Sequence, residues 1–161
     1  MVITRKLITI MLLVLVSMSL TACGSAQPGT FENPSPKQAT QSAIFSESTT
    51  IKTDKGQYTN ITPEGLKIMM DDKDFFLVDV HVPNEGRMPE LDARIPYDQI
   101  AQHLDQLPQD KSAKIVLTCM SDIMSTIASE TLADSGYTNV FNLVGGYNAW
   151  RAKGYPFIPE P

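Results

Sequence analysis

Two cysteines, two histidines and 18 carboxylates are the groups in this 161-residue chain that covalent or acid–base chemistry would use. Cys119 stands in "IVLTCMSDIMSTIASETL", at the end of an apolar stretch of strand length and a few residues before a helical pattern. A thiol placed there lies near clustered backbone N–H groups and the positive end of a helix dipole, which favour the thiolate, the form that attacks. The plainer expectation for a free cysteine is a small buried hydrophobe. A Cys-x5-Arg loop of the kind that grips phosphate or arsenate is excluded, because the sixth residue after Cys119 is Ser125. His81 and His103 make no metal-ligand spacing with Cys119. His81 follows a strand and reads as a loop histidine with at most a minor proton-transfer or orienting role, while His103 reads as the edge of a helix face. Asp79 is expected to hold a neighbouring loop, and Trp150 to be core.

The second cysteine belongs to different chemistry. "MVITRKLITIMLLVLVSMSLTAC" carries Arg5 and Lys6, then an uncharged apolar run from Leu7 to Leu20, then small residues before Cys23. That is the pattern of an export signal, and its run is short for a helix that must cross about 30 Å of hydrocarbon. "LTAC", Leu20 to Cys23, resembles a bacterial lipobox, which implies cleavage before Cys23 and acyl chains such as palmitate on its new N-terminus. The signal peptide is therefore expected at 1–22 and a lipidated N-terminus with a flexible linker at 23–56. The protein is expected to be exported and held by lipid on the extracytoplasmic face of the cell envelope.

Without Arg5 and Lys6, the 13 basic residues fall to 11 against 18 acidic, a formal charge of −7. Such a body offers no basic stripe to nucleic acid or anionic lipid. With Cys23 acylated, Cys119 has no intramolecular disulfide partner.

The elements that must position Cys119 can be read from periodicity. Residues 24–56 are rich in Ser, Thr, Gln, Pro and Gly, and some thirty flexible residues reach on the order of 30 Å. In "NITPEGLKIMM", Thr62, Pro63 and Glu64 mark a helix start, with an end expected near Asp71 and Asp72. "FFLVDV" and "KIVLT" read as strands buried on both faces. "YDQIAQHLDQL" predicts a helix with Ile100, Leu104 and Leu107 on one face. "STIASETLADSG" predicts a helix with Ile127 and Leu132 inward and Gly136 as its stop. "NVFNL" predicts a short strand and "GGYNAWRAKG" a last helix. Strands alternating with helices give a parallel sheet with helices on both faces, an α/β fold in a single domain.

"VLTCMSDIMSTIASETLADSGYTNVFNLVGGYNAWRAKGYP", with "FFLVDVHVP" and "IPYDQI" before it, resembles the rhodanese (sulfurtransferase) domain over roughly Tyr58 to Phe157. The resemblance implies a rhodanese-like domain at 57–158 with a short tail at 159–161. It implies Cys119 as a nucleophile that takes sulfane sulfur as a persulfide from a small donor such as thiosulfate and passes it to a thiol or other nucleophilic acceptor. The backbone of Met120, Ser121, Asp122, Ile123, Met124 and Ser125 would form the anion cradle, and no metal or organic cofactor is implied. The alternative is a rhodanese-like fold kept as a binding or redox-sensing module.

This loop departs from the family's common pattern by having no cationic side chain and by carrying Asp122 where glycine is frequent. Pointing inward, the Asp122 carboxylate would repel an anionic donor, by about 4 kcal/mol at 4 Å and an effective dielectric of 20; pointing outward, it would cost little. Arg87 and Arg94 are the nearby candidates to replace the missing charge, although a loop arginine is more simply solvated. Met120, Ile123 and Met124 make the loop apolar, which suits a weakly charged sulfur carrier better than a dianion.

Overall fold

The computed structural model describes residue 42 and residues 47–160. Cys23 and the whole expected signal segment lie outside the described residues. Within residues 47–160, eight strands and three α-helices follow in order: β1 Thr49–Lys52, β2 Gln57–Ile61, α1 Pro63–Met70, β3 Phe76–Asp79, β4 Gly86–Arg87, β5 Ala93–Arg94, β6 Ile115–Thr118, α2 Ile123–Asp134, β7 Val140–Leu143, α3 Gly146–Ala152 and β8 Ile158–Pro159.

Six strands form one sheet in the order β1-β2-β7-β6-β3-β5. β2, β7, β6, β3 and β5 run parallel, and β1 closes one edge antiparallel to β2. A parallel sheet must be covered on both faces, and the alternation of side chains along each strand shows how this is met. Ile115 and Leu117 of β6, with Val78 of β3, face a cluster that includes Ala128 and Leu132 of α2. Val116 and Leu77 face the opposite cluster, with Leu66 and Met69 of α1 and Tyr147 and Trp150 of α3. Each fully buried Leu or Val contributes roughly 1.5–3 kcal/mol relative to exposure, so these central strands carry much of the fold's stability.

Local signals set the helix boundaries. The Thr62 hydroxyl accepts the Gly65 N–H at 3.1 Å, Pro63 opens α1, and Asp71 caps its end, as the sequence predicts. Trp150 is core, and its indole N–H donates to the Pro156 carbonyl at 2.8 Å.

Four expectations are corrected. The predicted helix around Ile100 is two separate 3₁₀ turns, Ile100–Gln102 and Leu104–Gln106, closed by bonds from His103 N–H to the Ile100 carbonyl and from Leu107 N–H to the Leu104 carbonyl. The segment is confined between Pro96 and Pro108, and His103 between the turns leaves the helical region. Ile127 is 42% exposed rather than inward. The inward stripe of α2 is Ser125, Ala128, Ser129, Leu132 and Ala133, small residues apart from Leu132 that bring the helix close to the sheet. The domain reaches back into the expected linker, since β1 pairs along its whole length with β2, and the Asp134 carboxylate accepts the Thr53 hydroxyl at 2.6 Å. It also reaches into the expected tail, where β8 pairs antiparallel with β4 and Glu160 binds Arg94.

Candidate functional site

The parallel strands end together at one edge of the sheet, and Cys119 is the residue directly after β6. In open α/β sheets ligands bind beyond this carboxyl edge. The chain turns from Cys119 through Met120, Ser121 and Asp122 into α2, whose first residue is Ile123. The N–H groups of the first helical turn have no intrahelical partner, so this corner gathers donors around the cysteine. One of them is already engaged: the Asp122 N–H donates to Cys119 Sγ at 3.2 Å. The Ser125 hydroxyl lies 3.4 Å from the same sulfur. Cys119 itself is 1% exposed, packed beside Val80, Ala128 and their neighbours, so the sulfur forms the floor of the loop rather than its rim. Its thiol is free.

The sequence leaves open which way Asp122 points, and the structure answers it. Asp122 has φ 81°, the left-handed region that glycine enters without cost and that Asp and Asn tolerate better than other residues. Its carboxylate turns to the neighbouring loop and accepts the Gly145 N–H at 3.0 Å. Bound there, it serves as a brace between the cysteine loop and the start of α3.

That brace is one of several. The Tyr147 N–H donates to the Cys119 carbonyl at 2.8 Å and the Asn148 N–H to the Met120 carbonyl at 3.0 Å. So close an approach requires glycine at 146: a Cβ there would overlap the Cys119 carbonyl oxygen, and its φ of +54° is already left-handed. The Tyr147 hydroxyl lies 3.1 Å from Thr118 Oγ1, so one α3 residue holds the strand end through both backbone and side chain. Burial, and then the Asp79 carboxylate, push the Tyr147 phenol well above its ordinary range, which keeps it a neutral donor.

Asp79 is buried at the end of β3, where its carboxylate accepts the His81 N–H at 3.0 Å and the Arg94 Nε–H at 3.2 Å. Burial raises its pKa, and the His81 N–H and Arg94 only partly offset this. As the sequence suggests, Asp79 holds the adjoining loop. Arg94 continues the chain of contacts to Glu160 at 3.2 Å and to the Gly86 carbonyl at 3.1 Å, and Arg87 lies 3.4 Å from Glu160. Both arginines are thus paired with Glu160, just after β8, and do not supply charge to the cysteine loop. His81 turns its Nε2 to Glu85 at 2.9 Å.

Of the predicted cradle residues, Ser125 is buried, Met120, Asp122 and Met124 are half-buried, and Ser121 and Ile123 are exposed, Ile123 to 67%. Cys119, Asp122 and Ser125 are brought into mutual contact; no side-chain hydrogen bond joins Ser121 to them. The sequence reading missed Thr118, Gly145, Gly146 and Tyr147 as supports of the loop. The adjacent glycines of "VGGYNAW" were the available signal, since such a pair marks a tight backbone turn. Among the described residues no group of three or more His, Cys, Asp or Glu side chains gathers to hold a metal, and no helix is long and apolar enough to cross a membrane.

A mostly parallel sheet covered on both faces, with a cysteine on a short strand-to-helix loop at its carboxyl edge, defines an α/β cysteine-loop domain. Residues 62–153 match the model of the rhodanese-like domain, and the chain belongs to that family. It is 33% identical to a sulfurtransferase of Allochromatium vinosum over 96 residues, covering 57% of this chain and 87% of the relative. It is 25% identical to a thiosulfate sulfurtransferase of Actinobacillus succinogenes, covering 62% of this chain and 89% of that one. Among solved structures, a rhodanese-related protein from Thermoplasma volcanium superposes with a TM-score of 0.55 at 26% identity, covering 63% of this chain and 98% of that one.

Two outcomes test this geometry. Asp122→Gly loses the brace but keeps the backbone at ease, whereas Asp122→Ala loses the brace and also bears the left-handed conformation, which costs about 1–2 kcal/mol. Urea unfolding should therefore rank wild type above Asp122→Gly and Asp122→Gly above Asp122→Ala; equal stability of the two variants would show that the turn is not left-handed. For Asp79, a raised pKa means the folded protein holds the proton more tightly than the unfolded chain. Its contribution is fully present below the ordinary value of 3.8 and is lost as pH rises through the folded value. The stability advantage of wild type over Asp79→Asn should accordingly shrink as pH rises above the ordinary value of 3.8; an advantage that grows with pH would contradict the assignment.

Proposed function

We propose that this protein is a sulfurtransferase that carries sulfane sulfur as a persulfide on Cys119, on the outer side of a membrane to which lipid on Cys23 holds it. The observation that carries this reading is the Asp122 N–H aimed at Cys119 Sγ while the Asp122 carboxylate is bound elsewhere. The loop thereby presents a donor and no negative charge to the sulfur. Membership of the rhodanese-like family and similarity to named sulfurtransferases support the same chemistry.

In the first half-reaction the Cys119 thiolate attacks the sulfane sulfur of a donor. The new S–S bond forms as the donor's own bond to that sulfur breaks, and the remainder of the donor leaves with the bonding electron pair. In the second, a thiolate or other nucleophile takes the outer sulfur, and Cys119 departs as thiolate. No external oxidant or reductant enters. The backbone N–H groups from Met120 to Ser125 would face the charge on the outer sulfur.

The loop's side chains favour a donor of low charge. With Arg87 and Arg94 bound to Glu160, and with the loop itself carrying the apolar side chains of Met120, Ile123 and Met124, of which Met124 packs against the cluster that holds Cys119, a dianion such as thiosulfate gains no charge-assisted partner from a loop side chain. The 1% exposure of Cys119 is the observation that favours the second reading, a rhodanese-like module whose thiol is structural or redox-responsive.

Intact mass separates the two. Incubation with polysulfide should add one sulfur to wild type and none to Cys119→Ser, and thiosulfate should load less; no adduct from either donor would leave only the binding or sensing module. The anchor is tested by expressing the full chain in a bacterial host. Wild type should fractionate with membranes and take up labelled palmitate, and Cys23→Ser should do neither. Labelling that persists in Cys23→Ser would place the lipid elsewhere.

A further inference from the structure

Ser125 sits where the cysteine loop becomes α2, and it is fully buried. Its Oγ lies 3.1 Å from the Asp122 carbonyl oxygen and 3.4 Å from Cys119 Sγ. A carbonyl oxygen only accepts, so the single hydroxyl hydrogen serves either that oxygen or the sulfur. While Cys119 is a thiol, Ser125 donates to the Asp122 carbonyl, and the thiol completes the second contact by donating to Oγ. Once the thiol has lost its proton the sulfur has nothing to donate. The contact then survives only if the Ser125 hydrogen turns to it. The Asp122 carbonyl tolerates the exchange, because the Thr126 N–H still donates to it at 2.9 Å.

We infer that Ser125 is a positioning residue for sulfur transfer, its hydroxyl hydrogen moving from the Asp122 carbonyl to Cys119 Sγ whenever the thiolate forms. The thiolate is the attacking group when sulfur is taken from a donor and the leaving group when sulfur is given to an acceptor, so one hydrogen bond serves both halves of the cycle. With the Asp122 N–H, which donates to Sγ in either state, the anion then accepts two hydrogen bonds. The inference rests on the reading of Cys119 as sulfur carrier for its part in turnover; the hydrogen-bond exchange itself follows from the three atoms and their distances.

The other titratable and charged groups near the loop come from every element packed against it. They are the Asp122 carboxylate, held by the Gly145 N–H; Tyr147 on α3; Asp79 at the end of β3 and His81 after it, with Arg94 behind them; and Tyr58, Tyr97 and Tyr137, which pack in the same apolar cluster as Cys119. None of these side chains makes a hydrogen bond to Sγ, whereas the Ser125 hydroxyl does.

The test is Ser125→Ala in the full chain. Alanine removes one atom from a helix position it favours; the Asp122 carbonyl keeps its Thr126 bond, and Cys119 Sγ loses the Oγ contact but keeps the Asp122 N–H. Ionisation of Cys119 is followed through the ¹³Cβ resonance of labelled cysteine, a signal that does not depend on reagent access, with Cys119→Ser assigning the peak. A hydrogen bond to an anion shifts an equilibrium about tenfold or more, which moves the titration upward by about one pH unit in Ser125→Ala. Alkylation of Cys119, read on its peptide by mass spectrometry, should slow by a similar factor below the midpoint and converge with wild type above it. An unmoved titration, or rates that differ by the same factor at every pH, would overturn the inference. Persulfide formation is scored separately. An adduct on wild type with no shift in Ser125→Ala removes the hydrogen-bond exchange and leaves the sulfur carrier, and a shift without any adduct does the reverse.

Discussion

The cysteine loop is held closed by three hydrogen bonds that it accepts from the start of α3. Carbonyls of Cys119 and Met120 accept from the Tyr147 and Asn148 N–H groups, and the Asp122 carboxylate accepts from the Gly145 N–H. Almost everything else about the site depends on these bonds. They set the left-handed turn at Asp122, which aims that residue's own N–H at the sulfur, and they require a glycine at 146. A carboxylate that would be a liability inside the loop becomes part of its frame.

A second set of contacts stiffens the same edge from the other side. Thr118, Tyr147, Asp79, Arg94 and Glu160 follow one another from the end of β6 to the residue after β8, two neutral partners and then an acid, a base and an acid. Burial raises the Asp79 pKa even with Arg94 against it, so desolvation outweighs the ion pair there. The chemistry left to the loop is what backbone donors and one hydroxyl can do.

Much of this was legible in the sequence where the physics is local. The Thr62–Pro63 helix start, the buried strands that end at Asp79 and at Thr118, and the position of Cys119 at a strand end all follow from residues within a few positions of one another. What stayed hidden was non-local or lacked an apolar signature. β1, "TTIK", is mostly exposed and paired on one side only, so nothing in its composition separates it from the polar segment before it. The direction of Asp122 is decided by an N–H 23 residues away, and that of Arg94 by Glu160, 66 residues away. Ile127 misled because the stripe that faces the sheet is built of serine and alanine, which hydropathy does not mark as interior.

The antiparallel setting of β1 decides where the chain enters the sheet. Thr49, the first residue of that strand, pairs with Asn60, next to the end of β2, so the chain enters the sheet at the edge where the parallel strands finish. Had β1 run parallel, its first residue would lie at the opposite edge. The backbone at Thr49 therefore joins the domain on the side that carries Cys119, and the point of entry and the cysteine share one edge.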